Sequence, residues 1–173
     1  MRKIETKRLI LREFEEKDLD ALYAFGSSKN VGPMAGWAPY ESKKEAKAML
    51  RAFRMTTEVW AIALRENDEF IGNIGLYFDE KRSVDDVRML GYALREEFWG
   101  NGFAGEAAEA VIEYGFDKMK LDLISAYVYP ENERSKHVLE KLGFAFEGRM
   151  RLASTKWNGE VTDDLCYSIV RIP

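Results

Sequence analysis

Gly100-Asn101-Gly102-Phe103-Ala104-Gly105 stands between a strand-like run at residues 88–94 and a helix-like run at 103–119, and it limits the fold more than any other segment. Three glycines at the mouth of a helix leave backbone N–H groups uncovered, with no side chain in front of them. Those groups and the positive end of the helix dipole make a site for an anion. A strand, a glycine mouth and a helix also read as the first half of a crossover between parallel strands. The segment therefore asks for a sheet with a parallel step and for a phosphate-bearing ligand at it.

The rest of the chain supplies the sheet. Residues 8–14 alternate apolar and charged, as a half-buried strand does. Asp18 is placed to cap a helix carrying Leu19, Leu22, Tyr23 and Phe25 and ending near Gly26. Residues 30–40 read as a loop, with Gly32, Pro33, Gly36 and Pro39, and hold the aromatics Trp37 and Tyr40. Ser42 and Glu45 form a capping box for a helix to Met55. Strands at 59–65 and 70–78 are joined by the hairpin signal Glu66-Asn67-Asp68-Glu69, and a polar turn at 79–86 leads to the strand before the glycines. Phe103, Ala107, Ala110, Val111 and Tyr114 share one face of the helix behind them. A buried strand at 123–129 follows, then a helix at 132–142 capped by Asn132 and stopped by Gly143. Strands at 144–154 and 161–172 flank Asn158-Gly159, the strongest short hairpin signal in the chain. The expectation is one α/β (α+β) domain over 1–173, a mixed, mainly antiparallel sheet of about seven strands with about four helices and a parallel step in the middle.

Composition excludes several classes. The chain has 173 residues, 46% hydrophobic and 32% charged, which is enough for one domain with a real core and leaves no reason for disorder. A net charge of −4 and a pI near 5.3 argue against nucleic acid. Apolar stretches fall short of a membrane span, no secretory signal core follows Met1, and Cys166 is the single cysteine, which implies neither a disulfide framework nor a metal cluster. A cytoplasmic protein is expected.

Gly100, Gly102 and Gly105 match the dinucleotide fingerprint GxGxxG, but its context is wrong. Arg95-Glu96-Glu97-Phe98-Trp99 intervenes after the strand, and the sheet opens with hairpins rather than repeated strand–helix units. A P-loop fails for want of Gly-Lys-Ser/Thr. The plain alternative is a glycine-rich turn that packs a helix closely on the sheet. A second feature weighs against it. Tyr129-Pro130-Glu131-Asn132-Glu133-Arg134-Ser135 leaves the next strand and opens the next helix, so two strands that are parallel neighbours would end at one crevice. There Asn132 offers an amide and Ser135 a hydroxyl; taken singly, the first is an N-cap and the second a solvated first-turn residue.

With these segments in place the chain resembles the GNAT superfamily of acetyl-coenzyme A-dependent N-acetyltransferases, and within it the branch of the ribosomal-protein N-terminal acetyltransferases. The resemblance runs over essentially the whole length. It is carried by Thr6-Lys7-Arg8-Leu9-Ile10-Leu11-Arg12, Ile71-Gly72-Asn73-Ile74-Gly75-Leu76, Gly91 through Ala107, Asn132-Glu133-Arg134-Ser135, Glu140-Lys141-Leu142-Gly143-Phe144 and Asn158-Gly159-Glu160. Trp99-Gly100-Asn101-Gly102-Phe103-Ala104 fills the superfamily's Arg/Gln-x-x-Gly-x-Gly/Ala motif, with Trp at its first position.

The resemblance implies the GNAT fold with a splayed parallel pair, acetyl-CoA as acyl donor and no metal. It puts the pyrophosphate on the N–H groups of Trp99, Gly100, Asn101, Gly102, Phe103, Ala104 and Gly105, and the pantetheine beside Tyr92, Ala93 and Leu94. Asn132 would bond a pantetheine amide, and Lys136 or Arg134 the 3′-phosphate. A backbone N–H near Ala93 or Leu94 would steady the oxyanion, and Ser135 would protonate the leaving sulfur. Tyr92, Glu13 and Glu147 remain candidates for the base, whereas His137 falls on the far side of its helix from Ser135. An α-amine, with a pKa near 8, needs less help from a base than a lysine-type amine near 10.4. Trp37, Tyr40 and Tyr92 are candidates to wall the acceptor slot. The expected partner is an amine, either a protein N-terminus or a small molecule such as a polyamine or aminoglycoside, with neither nucleic acid nor membrane, and the chain acting as a monomer or homodimer. A coenzyme A-binding module without catalysis is the rival from another class.

Overall fold

A computed structural model describes residues 3–171; Ile172, the expected end of the last strand, lies outside the described residues. The strands are β1 (Ile4–Glu5), β2 (Leu9–Arg12), β3 (Val59–Leu64), β4 (Phe70–Phe78), β5 (Val87–Leu94), β6 (Leu123–Val128), β7 (Ala145–Thr155) and β8 (Val161–Val170). The helices are α1 (Leu19–Ser27), α2 (Gly32–Ala35), α3 (Lys43–Met55), α4 (Phe103–Asp117) and α5 (Glu133–Lys141). One sheet runs β1-β2-β3-β4-β5-β6-β8-β7, and every neighbouring pair is antiparallel except β5 and β6. The parallel step falls where the glycine mouth demanded it, because the chain passes through α4 between those two strands.

Strand periodicity divides the core in two. Along β4 and β5 the cross-strand pairs Ile74–Tyr92 and Leu76–Leu90 share one face, and Asn73–Ala93 and Tyr77–Met89 share the other. The first face packs on α4 and α5, through Leu90, Leu94, Ala107, Val111, Ile124 and Leu139. The second packs on α1 and α3, through Phe14, Leu22, Phe25, Leu50, Phe70 and Ala93. Three aromatic contacts, Phe14–Phe53, Phe25–Trp37 and Phe25–Phe70, tie that second layer together.

Two local expectations change. Residues 30–40 do not form a simple loop, because Pro33 lies in the first turn of the one-turn helix α2 and Gly36 closes it at φ 99°. Asp18 makes no cap bond at the start of α1. It is buried, and its carboxylate takes Arg12 bidentately, Nη1–Oδ2 at 2.8 Å and Nη2–Oδ1 at 2.9 Å, and accepts the Glu15 N–H at 2.8 Å. The Arg12 guanidinium is itself only 9% exposed, so it needs a carboxylate more than the helix needs a cap. Ser42 caps α3 as its sequence implied, accepting the Glu45 N–H.

Candidate active site

The site begins as a failure of pairing. β5 and β6 are in register only from Val87–Leu123 to Met89–Ser125 and then part, leaving residues 90–94 and 126–128 without each other. The Arg95 N–H donates to the Ile71 carbonyl at 2.9 Å, which fixes the alternation along β5. The main-chain groups of Gly91, Ala93 and Arg95 face β4, and those of Leu90, Tyr92 and Leu94 face the opening. Ala93, also expected beside a ligand, lines the cavity with its N–H and carbonyl turned to β4. The Leu94 carbonyl accepts from Trp99 Nε1 at 2.9 Å, so its N–H is what Leu94 offers to the opening.

The gap opens into a cavity of about 1030 Å³ that reaches both faces of the sheet. Its α4/α5 side is the glycine mouth. Gly102 stands at the N-cap of α4 with φ 78°, and Gly100 has φ 76°, a region where a side chain is strained. A Cβ added at Gly100 or Gly105 would meet nothing within 4 Å. Close helix–sheet packing is therefore not the reason for these two glycines; the space in front of them is open.

The mouth is held from the far end of the chain. Glu106, in the first turn of α4, accepts from Thr6 Oγ1 at 2.6 Å, from the Arg8 N–H at 2.8 Å and from Arg8 Nε at 2.7 Å. Arg8 also donates to the Asn101 carbonyl at 2.9 Å, and its guanidinium lies 4.4 Å from the Phe103 ring centroid. Burial pushes the Glu106 carboxyl up, but the bonds from Thr6 and Arg8 outweigh it and leave the pKa lowered. The Asn101 side chain turns back to the Trp99 carbonyl at 3.1 Å and does not line the cavity.

On α5, Asn132 caps its helix by accepting the Ser135 N–H at 3.2 Å and reaches across to the Met34 carbonyl at 3.4 Å. It thereby ties α5 to α2 over the cavity. Ser135 lines the cavity, and its carbonyl accepts from the Tyr92 hydroxyl at 3.4 Å. Burial pushes the Tyr92 phenol up to about 12, against a smaller lowering by Ser135. A phenol so placed stays protonated at neutral pH and suits a donor rather than a base. Lys136 pairs with Glu133 and donates to the Pro130 carbonyl at 3.2 Å, away from the cavity. Arg134 does line it, with its guanidinium 3.8 Å above the Trp99 ring.

The opposite side is aromatic. Trp37 and Tyr40 both line the cavity, seated on glycines: a Cβ on Gly32 would come within 2.6 Å of Trp37 Nε1, and one on Gly26 within 1.9 Å of Tyr40 Cε2. Tyr77 lies against Gly75 and Gly91 in the same way. The other two base candidates lie elsewhere. Glu13 is exposed and outside the cavity, and Glu147 sits on β7 with Arg82 at 2.7 Å. Among the described residues, the carboxylate in the cavity wall is Asp164 of β8, which the sequence reading missed. Its signal was the alternation that buries Thr162, Asp164 and Cys166 on one side of β8. His137 is exposed and lines the cavity, and Cys166 is buried.

Comparison with known proteins agrees with this geometry. The acetyltransferase (GNAT) domain family matches residues 8–145. The chain is 35% identical to the uncharacterized N-acetyltransferase YoaA of Bacillus subtilis, over 97% of this chain and 96% of that protein. It is 39% identical to the spermidine N(1)-acetyltransferase of Escherichia coli over 142 residues, 81% of this chain and 74% of that one. A GNAT-family acetyltransferase structure from Bacillus anthracis superposes with a TM-score of 0.89 at 25% identity, covering 98% of each chain. Among the described residues no helix is long and apolar enough to cross a membrane. The chain belongs to the GNAT acetyltransferase family and is an acetyl-CoA-dependent N-acetyltransferase.

Proposed function

We propose that the enzyme binds acetyl-CoA from the α4/α5 side of the splayed strands and a primary amine from the α1–α3 side, with transfer in the gap between β5 and β6. The observation that carries this reading is the gap itself. It joins a main-chain anion mouth on one face of the sheet to an aromatic chamber on the other. The N–H groups of residues 100–105 would take the pyrophosphate, whereas that of Trp99, also expected there, donates to the Glu96 carbonyl at 3.0 Å. The open main-chain groups of Leu90 and Tyr92 would take the pantetheine as an added strand takes a sheet edge, and Arg134 is the better-placed cation for the remaining phosphate.

In the reaction the neutral amine attacks the thioester carbonyl, forming the C–N bond. The tetrahedral oxyanion would be held by the Leu94 N–H, the donor whose partner carbonyl is occupied by Trp99. Collapse breaks the C–S bond, and the thiolate leaves with a proton from the Ser135 hydroxyl. The ammonium proton of the intermediate passes to water, and a proton from water restores the Ser135 hydroxyl. Trp37 and Tyr40 wall the acceptor side.

For the acceptor, the motif resemblance points to a protein N-terminal α-amine. The spermidine enzyme among the relatives supports a small polyamine as the second reading. A thermal-shift series with acetyl-CoA, CoA, NAD and ATP, followed by amine-dependent thiol release, tests the proposal. Acetyl-CoA at 100 times its Kd adds about 2.7 kcal/mol of stability. Selective stabilisation by the two coenzyme A forms and thiol release with a peptide or polyamine are expected. Stabilisation without thiol release for any amine would make the protein a binding module, and no stabilisation would remove the donor site.

A further inference from the structure

The acceptor chamber contains a cation already. Asp164, whose side chain is 3% exposed, is paired with the Lys81 ammonium and accepts from Ser154 Oγ at 2.7 Å. The same ammonium lies 4.5 Å from the centroid of the Tyr127 ring. Asp164, Lys81, Ser154 and Tyr127 all line the cavity. Carboxylate, hydroxyl and ring face are what a buried alkylammonium requires, and here one of the protein's own side chains provides it.

We infer that this is a subsite for a second, non-reacting ammonium group of the acceptor, and that Lys81 is its resident substitute. The inference rests on the acetyl-transfer reading and specifies its substrate as an amine that carries another cationic group. Exchange is favoured by how Lys81 is mounted. It lies in the β4–β5 turn, which is closed independently by the Arg82 and Ser83 N–H groups on the Asp79 carbonyl, at 3.1 and 3.0 Å. Asp79 Oδ1 also accepts the Lys81 N–H at 2.9 Å. The side chain, 29% exposed, can therefore swing out while the turn stays folded. One ammonium replaces another, so the carboxylate is never left unpaired in a low-dielectric wall, the state that costs most. The reacting nitrogen must be neutral to attack, so the nitrogen at Asp164 is a different one.

Lys81→Ala empties the subsite and Lys81→Met does so while keeping apolar bulk. Both should gain melting temperature from propylammonium chloride beyond the effect of equal sodium chloride. The wild type and the Lys81→Ala/Asp164→Asn double variant should not. In steady state, Asp164→Asn should raise KM for a diamine roughly 10- to 100-fold, the loss of one charged hydrogen bond. The KM for acetyl-CoA and for a monoamine of equal length should stay unchanged. No selective response of either Lys81 variant to propylammonium, or equal damage to diamine and monoamine kinetics, would overturn the subsite and leave Lys81–Asp164 a structural pair. Acetyl-CoA stabilisation of each variant reports whether it is folded. Loss of that stabilisation in the wild type would instead count against the acetyl-transfer reading.

Discussion

On the α4/α5 side the cavity wall is mostly main chain: N–H groups at the start of α4, the open edge of β5, and glycines with nothing in front of them. On the α1–α3 side it is side chains, gathered from α1, α2, the segment after it, β4, β6 and β8. A wall of main chain can be specified by a short local pattern, because the pattern sets the backbone and the backbone is the wall. A wall of side chains exists only after distant segments have docked. The two sides should therefore respond differently to mutation, and the separation can be measured.

The largest effect is expected at Ala104, the second residue of α4, which lines the mouth. Ala104→Asp places a carboxylate where the helix dipole favours it, so the free protein should keep or gain stability, by about 0.5 kcal/mol. The same charge about 4 Å from a phosphate costs about 4 kcal/mol at an effective dielectric near 20, on the order of a thousandfold in donor affinity. Calorimetric titration with acetyl-CoA beside a thermal melt reads both. Weakened folding with intact binding would break the comparison.

Ser135→Ala should lower kcat about 100-fold, the lower range for a lost proton donor, and leave donor affinity unchanged. A profile of kcat against pH should keep its shape in Tyr92→Phe, because the phenol is pushed up to about 12 by burial and stays neutral throughout. A basic limb that disappears with Tyr92→Phe would assign the base to Tyr92 after all.

Gly26→Ala acts on the other wall. The new Cβ would lie 1.9 Å from the Tyr40 ring and must displace it. About 1–3 kcal/mol of stability should be lost, with KM raised for the amine and the acetyl-CoA Kd unaltered. A parallel loss of donor affinity would mean that the two sides are one unit.

The smallest effect concerns the clamp on α4. The Glu106 pKa is lowered in the folded state, so its contribution is present above the unfolded-state carboxyl pKa and is lost as pH falls through the folded one. Glu106→Gln should cost about 1 kcal/mol near neutral pH. The gap between variant and wild type should close as the solution becomes more acidic than the ordinary carboxylate range. Urea melts across that window read it, and a constant gap would mean the clamp does not depend on charge.

The elements were legible where periodicity and turn chemistry act locally: the Ser42 cap, the strand ending at Leu94, the mouth before α4, and Gly143, with φ 83°, after α5. Asp18 misled because its position suited a cap, and only the folded chain put a buried Arg12 beside it. The α2 turn was hidden among glycines and prolines that read equally as loop. Of the candidate residues, those carried by the glycine motif and by Ser135 line the cavity except Asn101, and Lys136 does not line it. Ala93 lines it with its main chain turned to β4.

By itself the sequence determined the glycine mouth, since Gly100 and Gly102, between a strand and a helix, take positive φ angles and leave N–H groups with no side chain in front of them. The aromatic side was decided by tertiary structure. Asp164 and Lys81 are 83 residues apart, and nothing local in either segment requires the other. They meet because β8 inserts beside β6 and the β4–β5 turn folds over the same face of the sheet. That carboxylate is taken out of water only once neighbouring strands cover it.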